Sequence, residues 1–307
     1  MKVLIAEYSM FHDPVLASEG RAMFISLSAS FSRCGHEVVT PGQGDFCEEI
    51  KRLAPGCDAG LVIAPDHLLS RFTLAMETCT HNLGCGSMNV AICANKQRTA
   101  TILASHGIAV PEEQEQGFRI VKPVTGCGAQ GVRLTRGPAG FGEFGQRYIE
   151  GENYSVSVVG SRIVGEACLY FTGEPPVVLA LNRQQLEIDS EGIFHYRGGE
   201  TPAHHLKEQE IRETAINAVR ILGCQGYAGV DVVVADRVYV VDVNPRITTS
   251  IVGITAGMNE EIAEILIRAS KGLPVGELHY SCHTSFDTSG NIISQYSNDT
   301  MGSGGFK

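Results

Sequence analysis

Two valine-rich runs, Gly229–Val234 (GVDVVV) and Val238–Arg246 (VYVVDVNPR), constrain this chain more than any other stretch. Each has the length and apolar content of a buried strand, and the short link between them suits a hairpin. Paired in this way they present Asp231, Asp242 and Asn244 together. Three oxygen donors on adjacent strand ends suit a hard divalent cation such as Mg²⁺, with Mn²⁺ as an alternative. A structural acid pair at strand ends would look the same in sequence. Arg246 follows at once, and an arginine beside a metal suits a phosphate. The pair therefore reads as the floor of an ATP site.

Composition narrows the class. The 307 residues suffice for two or three packed subdomains. Hydrophobic content is 43%, charged content 19% and formal net charge −10, with no block of basic residues. That excludes the electrostatic footprint of a nucleic-acid protein, but not a small anionic ligand. No apolar run reaches the roughly 18 residues of a membrane span, and the opening MKVLIAEY reads as a strand rather than a signal peptide. The ten cysteines are dispersed, with no Cys-x-x-Cys pair. Cys93, Cys168 and Cys224 sit in apolar contexts, as core cysteines do. A reducing cytoplasm is the expectation.

Strands expected at 2–7, 37–40 and 59–64 alternate with helices expected over Ala17–Phe31, Ile50–Ala54 and Phe72–Thr80. That pattern indicates a parallel α/β layer, in which ligands gather at the carboxyl ends of strands. Glu7, and Pro65-Asp66-His67, fall at such ends, and Glu7 is a substrate-site candidate. One helix is expected from Ser87 through Asn95-Lys96 to His106, then a short strand before Pro111. Further strands are expected over Phe118–Val124, Val132–Thr135, Phe144–Glu150 and Tyr154–Val159. Extended segments are expected over Arg162–Tyr170 and Val177–Ile188. Gln209–Leu222 has a clear apolar face, and Glu260–Ser270 is read as the last helix. The polar, glycine-rich end beyond Asp287 reads as a loose tail.

Between two of these strands lies Gly126-Cys-Gly128-Ala-Gln-Gly131, which matches the dinucleotide fingerprint G-x-G-x-x-G. The fingerprint requires a helix to begin inside the loop. Here a strand follows, so a Rossmann reading fails on context. A glycine loop between antiparallel strands can instead offer its N–H groups to a triphosphate, although a plain hairpin turn fits too. Lys122 lies on the strand entering the loop, inside an apolar run, where a lysine needs a partner that a phosphate would supply. Lys96 alone would read as an ordinary helix lysine. Cys127 reads as structural and His204-His205 as a solvated loop.

Lys96, Lys122 with its glycine loop, the strand–turn Gln146–Asn153, and Asp231 with Asp242-x-Asn244 occur in the order of the ATP-grasp superfamily, which the chain resembles from about Leu83 to Ile267. A narrower resemblance is to the tyramine–glutamate ligase group of methanofuran biosynthesis. It is carried by Glu7-Tyr8, Glu19-Gly20, Leu83-Gly84-Cys85, Asn95-Lys96, Glu150-Gly-Glu-Asn153 with Ser155-Val-Ser157, Leu181-Asn-Arg-Gln184, Gly226–Asp231 and Asn244–Thr249. The resemblance implies an α+β ATP-grasp fold within the α/β class. It would have an N-terminal parallel pre-ATP-grasp domain (1–86), a small subdomain with the glycine loop (87–145), a C-terminal subdomain with the metal site (146–286) and a flexible tail (287–307).

The resemblance also implies roles. Lys96 and Lys122 would hold the α- and β-phosphates under the loop glycines Gly126 and Gly128. Backbone groups of Arg147 and Ile149 would pair with adenine, with Gln146 reaching its exocyclic amine. Glu152 or Asn153 would hold the ribose. Asp231, Asp242 and Asn244 would hold Mg²⁺ bridging the phosphates, and Arg246 and Arg183 would steady the transferring phosphoryl group. Many relatives carry glutamate where Gln146 and Asp242 stand, so the shorter Asp242 would shift the metal or bind it through one oxygen. The implied reaction activates a small-molecule carboxylate as an acyl phosphate, and an amine captures it as an amide. The implied partners are that acid and amine, and a homodimer is a further expectation. Two alternatives remain at this point: a ligase for other substrates, including a glutamate-adding enzyme, and a nucleotide-binding regulator without turnover.

Overall fold

The computed structural model describes residues 1–126, 128–162 and 174–297. Its first layer runs β1 (Lys2–Glu7), α1 (Ser9–His12), α2 (Ala17–Arg33), β2 (Glu37–Val39), α3 (Phe46–Leu53), β3 (Ala59–Ile63), α4 (Asp66–Glu77) and β4 (His81–Asn82). The four strands form a parallel sheet in the order β2-β1-β3-β4. Two helices begin earlier than their apolar spacing suggests. Asp45 caps α3 by accepting from the Glu48 N–H at 2.9 Å, so that helix starts at Phe46. Helix α4 starts at Asp66, directly after Pro65. The stretch expected as a strand-end loop is thus a helix N-terminus, with the Asp66 side chain buried.

The helix expected from Ser87 to His106 is two helices, α5 (Ser87–Cys93) and α6 (Lys96–Ser105). Asn95 caps the second by accepting from the Arg98 N–H at 2.8 Å. Asparagine competes with its own backbone inside a helix and serves well at its start. The Lys96 N–H then donates to the Val124 carbonyl at 2.9 Å, which ties the start of α6 to the glycine loop. Residues 108–110 form no strand, although the Ala109 carbonyl accepts from the Val240 N–H.

The antiparallel strands β5 (Arg119–Pro123), β6 (Arg133–Thr135) and β7 (Glu143–Arg147) make a small sheet in the order β6-β5-β7. The boundary expected at 145/146 falls inside β7, which belongs wholly to this sheet. Next come β8 (Glu152–Gly160), β9 (Val177–Ile188), β10 (Phe194–Thr201), α7 (Glu208–Leu222), β11 (Gly226–Val234), β12 (Val238–Asn244), α8 (Ser250–Gly257), α9 (Ile262–Ser270), β13 (Cys282–Phe286) and β14 (Ile292–Ser297). Their strands form one antiparallel sheet, β12-β11-β8-β9-β10-β13-β14. Helix α7 buries Ile211, Ala215, Ala218, Val219 and Leu222, the face its sequence displays. Helix α8 has no such stripe: its residues are apolar on all sides and mostly buried, so no period marks it. Strand β14 pairs with β13 inside the stretch expected to be a loose tail. Nearly all of the segment expected at Arg162–Tyr170, together with Cys127 and Cys168, lies outside the described residues.

Candidate active site

The small sheet faces the large one across a cleft of about 270 Å³. Its floor is the β11–β12 hairpin, where Asp231 stands opposite Asp242. The register slips just beyond, so that Val232 faces Val240. Val241 is therefore a bulge residue, and both it and Asp242 line the cleft, which a regular strand would not allow. The half-buried Asp231 carboxylate accepts from Gln184 Nε2 and from Asn244 Nδ2, both at 3.0 Å. Burial, with Asp242 alongside, pushes its pKa up to about 6.

Three cations surround this floor. Lys96 Nζ donates to Asp242 in a short contact and lies 3.7 Å from Asp66. Burial would lower its pKa, but the Asp242 and Asp66 charges outweigh that and leave it raised. Lys122 is buried, donates to the Val241 carbonyl at 2.8 Å and sits 5.3 Å from the Phe144 ring centre. Its pKa falls to about 8, because burial exceeds the help from Asp242. Arg246 places Nε 3.5 Å from Asp66 and donates from Nη1 to the Ile247 carbonyl. Burial raises the Asp66 pKa despite Arg246 and Lys96. A desolvated lysine and a crowded acid pair are the state expected of a site built for a polyanion and its counter-ion.

The donor set fits a hard divalent ion: two carboxylates and one amide, all oxygen donors, on paired strands. Among the described residues no group of three or more His, Cys, Asp or Glu side chains is arranged to hold a metal, so the amide of Asn244 is needed to complete the set.

At the other end of the cleft, Gln146 is buried and donates from Nε2 to the Pro111 carbonyl at 3.0 Å. Arg147, Tyr148 and Ile149 line the cleft beside it, with Ile120, Val233 and Val241. The Arg147 N–H donates to the Glu112 carbonyl at 2.8 Å, so that group is not available to a ligand. Gly126 and Gly128 line the roof. Gly128 and Ala129 both have positive φ, 64° and 59°, a conformation that turns successive N–H groups toward one side.

Two expected residues stand elsewhere. Arg183 alternates with Gln184 on β9, points to the opposite face, is 57% exposed and pairs loosely with Glu152 at 3.9 Å. Glu152 is also exposed and receives the Tyr154 hydroxyl at 3.1 Å. Asn153, its neighbour, lines the cleft. The pleat decides both cases, since adjacent strand residues face opposite ways.

The structure adds Glu19, Asp66, Ser155, Gln184, Tyr196 and the start of α8 to the site. Thr248, Thr249 and Ser250 line the cleft, and Thr249 donates a short hydrogen bond to Glu19. A Thr-Thr-Ser run before an apolar segment is a helix-start signal that could have found α8. Asp66 falls at a strand end and Glu19 in a word shared with the relatives, but neither signal says that these carboxylates meet Lys96, Arg246 and Thr249. Glu7 lines a small adjoining cavity of about 30 Å³ with Glu19 and Arg246. Its carboxylate accepts from the N–H groups of Ser9 and Met10, and burial pushes its pKa up to about 7.

A sequence model of the ATP-grasp domain matches residues 93–250, which contain Lys96, Lys122, the glycine loop and the whole β11–β12 floor. The chain belongs to the ATP-grasp family. It is a ligase of that family, with the family's α+β fold. It is 30% identical over 302 residues to a tyramine–L-glutamate ligase from Methanocaldococcus jannaschii, covering 87% of this chain and 88% of the relative. A tyramine–L-glutamate ligase from Methanocaldococcus fervens is 28% identical over 301 residues, covering 87% and 93%. The crystal structure of an ATP-grasp superfamily protein from Archaeoglobus fulgidus superposes with a TM-score of 0.77 at 26% identity, covering 94% of this chain and 92% of that one. Among the described residues, no helix of this ATP-grasp ligase is long and apolar enough to cross a membrane.

Proposed function

We propose that this ATP-grasp ligase is an ATP- and Mg²⁺-dependent carboxylate–amine ligase that joins glutamate to tyramine or a tyrosine-like amine, in the cytoplasm, as in methanofuran-type cofactor synthesis. The observation that carries the proposal is the convergence of Lys96, Lys122 and Arg246 on the Asp231–Asp242–Asn244 floor of one cleft. The relatives named above supply the acid and the amine.

In this reading adenine lies between Ile120 and Val241, against the strand–turn at Gln146–Ile149, with Asn153 at the ribose. Lys96 and Lys122 neutralise the α- and β-phosphates, exchanging their present contacts with Asp242 and the Val241 carbonyl for phosphate oxygens. Asp231, Asp242 and Asn244 would hold Mg²⁺, or Mn²⁺ in its place, which would supply Lewis-acid neutralisation of the phosphate charge. Arg246 lies beside the γ-phosphoryl group and offsets charge that builds as the substrate carboxylate attacks phosphorus. ADP leaves, the amine nitrogen attacks the acyl carbon, phosphate departs and one amine proton is lost to water or a nearby base.

The test is ADP release from purified protein given ATP, Mg²⁺, glutamate and a panel of amines, with the product weighed by mass spectrometry. γ-Glutamyl or α-glutamyl amides of tyramine-like amines are expected. ADP release with a different acid would move the assignment to another ligase, and none with any acid and amine would sink it.

A further inference from the structure

One part of the cleft is not used by the base, phosphates or metal as placed above. On β9 and β10, Leu186 stands opposite Tyr196 and Ile188 opposite Phe194, and all four line the cleft. They continue outward along the face that carries Gln184. In the large sheet, the proposed base and metal contacts stand on β11 and β12, while this wall stands beyond β8, across Asn153 and Ser155. It is apolar and partly open, with Ile188 39% exposed. An open apolar wall inside a charged cleft suits the apolar body of a ligand.

The wall is held in place. The Phe194 N–H donates to the Val132 carbonyl at 3.1 Å, and the Leu134 N–H to the Gly192 carbonyl at 2.8 Å. These bonds fasten the β9–β10 tip to β6, so Val132 and Gln130 line the cleft across from the wall. At its inner end the wall meets acid: Glu19 lines the same cleft, and after burial the charges of Glu19 and Asp231 raise the pKa of the Tyr196 hydroxyl.

We infer that this wall is the amine subsite: the aromatic or apolar body of a primary amine lies on Leu186, Ile188, Phe194 and Tyr196, with its nitrogen toward Glu19. The inference rests on the amide-forming reaction proposed above. An aromatic ring gains area and edge contacts from Phe194 and Tyr196. A cationic ammonium gains the Glu19 carboxylate, loses one proton to water to become the nucleophile, and loses a second as the amide forms. A small amine such as methylamine gains nothing from the wall.

The experiment compares tyramine with methylamine, using glutamate and MgATP, in the wild type and in Leu186→Ala, Phe194→Ala and Phe194→Leu. The wild type should favour tyramine in kcat/KM. Each alanine variant should lower the tyramine-to-methylamine ratio by about 10-fold or more, chiefly through the amine KM, with the ATP KM moving less than about twofold. Phe194→Leu, which keeps an apolar side chain, should recover part of the ratio. Unchanged ratios in both alanine variants would overturn the inference. A wild type without preference for tyramine would also overturn it and leave the ligase reading intact. Absence of any amide product with either amine, in protein that binds MgATP, would overturn both.

Discussion

Asp66 is the residue whose role is least visible in one dimension. It is buried at the start of α4, 3.7 Å from Lys96 and 3.5 Å from Arg246, two cations that come from distant parts of the chain. Removing its charge leaves both without one counter-ion in a desolvated place, which is costly. Asp66→Asn should therefore lower kcat/KM by about 10-fold or more, and lower the melting temperature as well. Arg183→Ala should change kcat/KM by less than about twofold, because that side chain is exposed on the opposite face. A large loss in Arg183→Ala would return it to the phosphoryl-transfer role the family resemblance implies. Glu7 gives a pH prediction. Between its ordinary value of 4.5 and about 7, the folded state holds the proton more tightly than the unfolded chain. Its contribution to stability therefore falls as pH rises through that window and then levels off. Glu7→Gln removes that fall, so the melting temperature of the variant relative to wild type should rise from pH 5 to pH 8. A difference that stays flat would contradict the buried, raised carboxyl.

Elements place these residues, and their local chemistry decides how. Asn95 ends one helix and starts the next, which puts Lys96 at a helix N-terminus rather than on a solvated face. The bulge at Val241 lets two consecutive residues of β12 line the cleft. The fastened β9–β10 tip depends on Gly192, where φ is +82° and an added Cβ would meet the Leu134 carbonyl oxygen at 2.3 Å. Gly192→Ala should free the tip from β6. The Leu134 and Phe194 amides should then exchange with solvent at least about tenfold faster, and unchanged exchange would show that the tip does not need this contact. Much at this scale could be read beforehand. The valine runs of β11 and β12, the apolar face of α7 and the strand–loop–strand around Gly126–Gly131 each carry a period or a punctuation mark. Helix α8 has a start signal in Thr248-Thr249-Ser250 but no period, because most of its sides are buried, while the bulge and the split at Asn95 depend on pairing register and on a single cap. The same limit explains Arg183 and Glu152: the right strand was identified, but one position along the pleat reverses the face.

At the scale of the molecule, a parallel α/β layer delivers Asp66 and Glu19 to a cleft whose other walls are a three-stranded and a seven-stranded antiparallel sheet. Lys96, Lys122, Asp231, Asp242, Asn244 and Arg246 were recognisable from residue type and order. The contribution of the first layer was not, since nothing in its sequence records which strand ends meet the cleft. The proposed function requires the β11–β12 floor to be the divalent-metal cradle of an ATP site. Equilibrium titration of ATP into the protein, with and without Mg²⁺, tests it most directly, in the wild type and in Asp242→Ala. Mg²⁺ should tighten ATP binding to the wild type by about tenfold or more, and this tightening should be lost in the correctly folded variant. Equal Mg²⁺ dependence in the two proteins would contradict it.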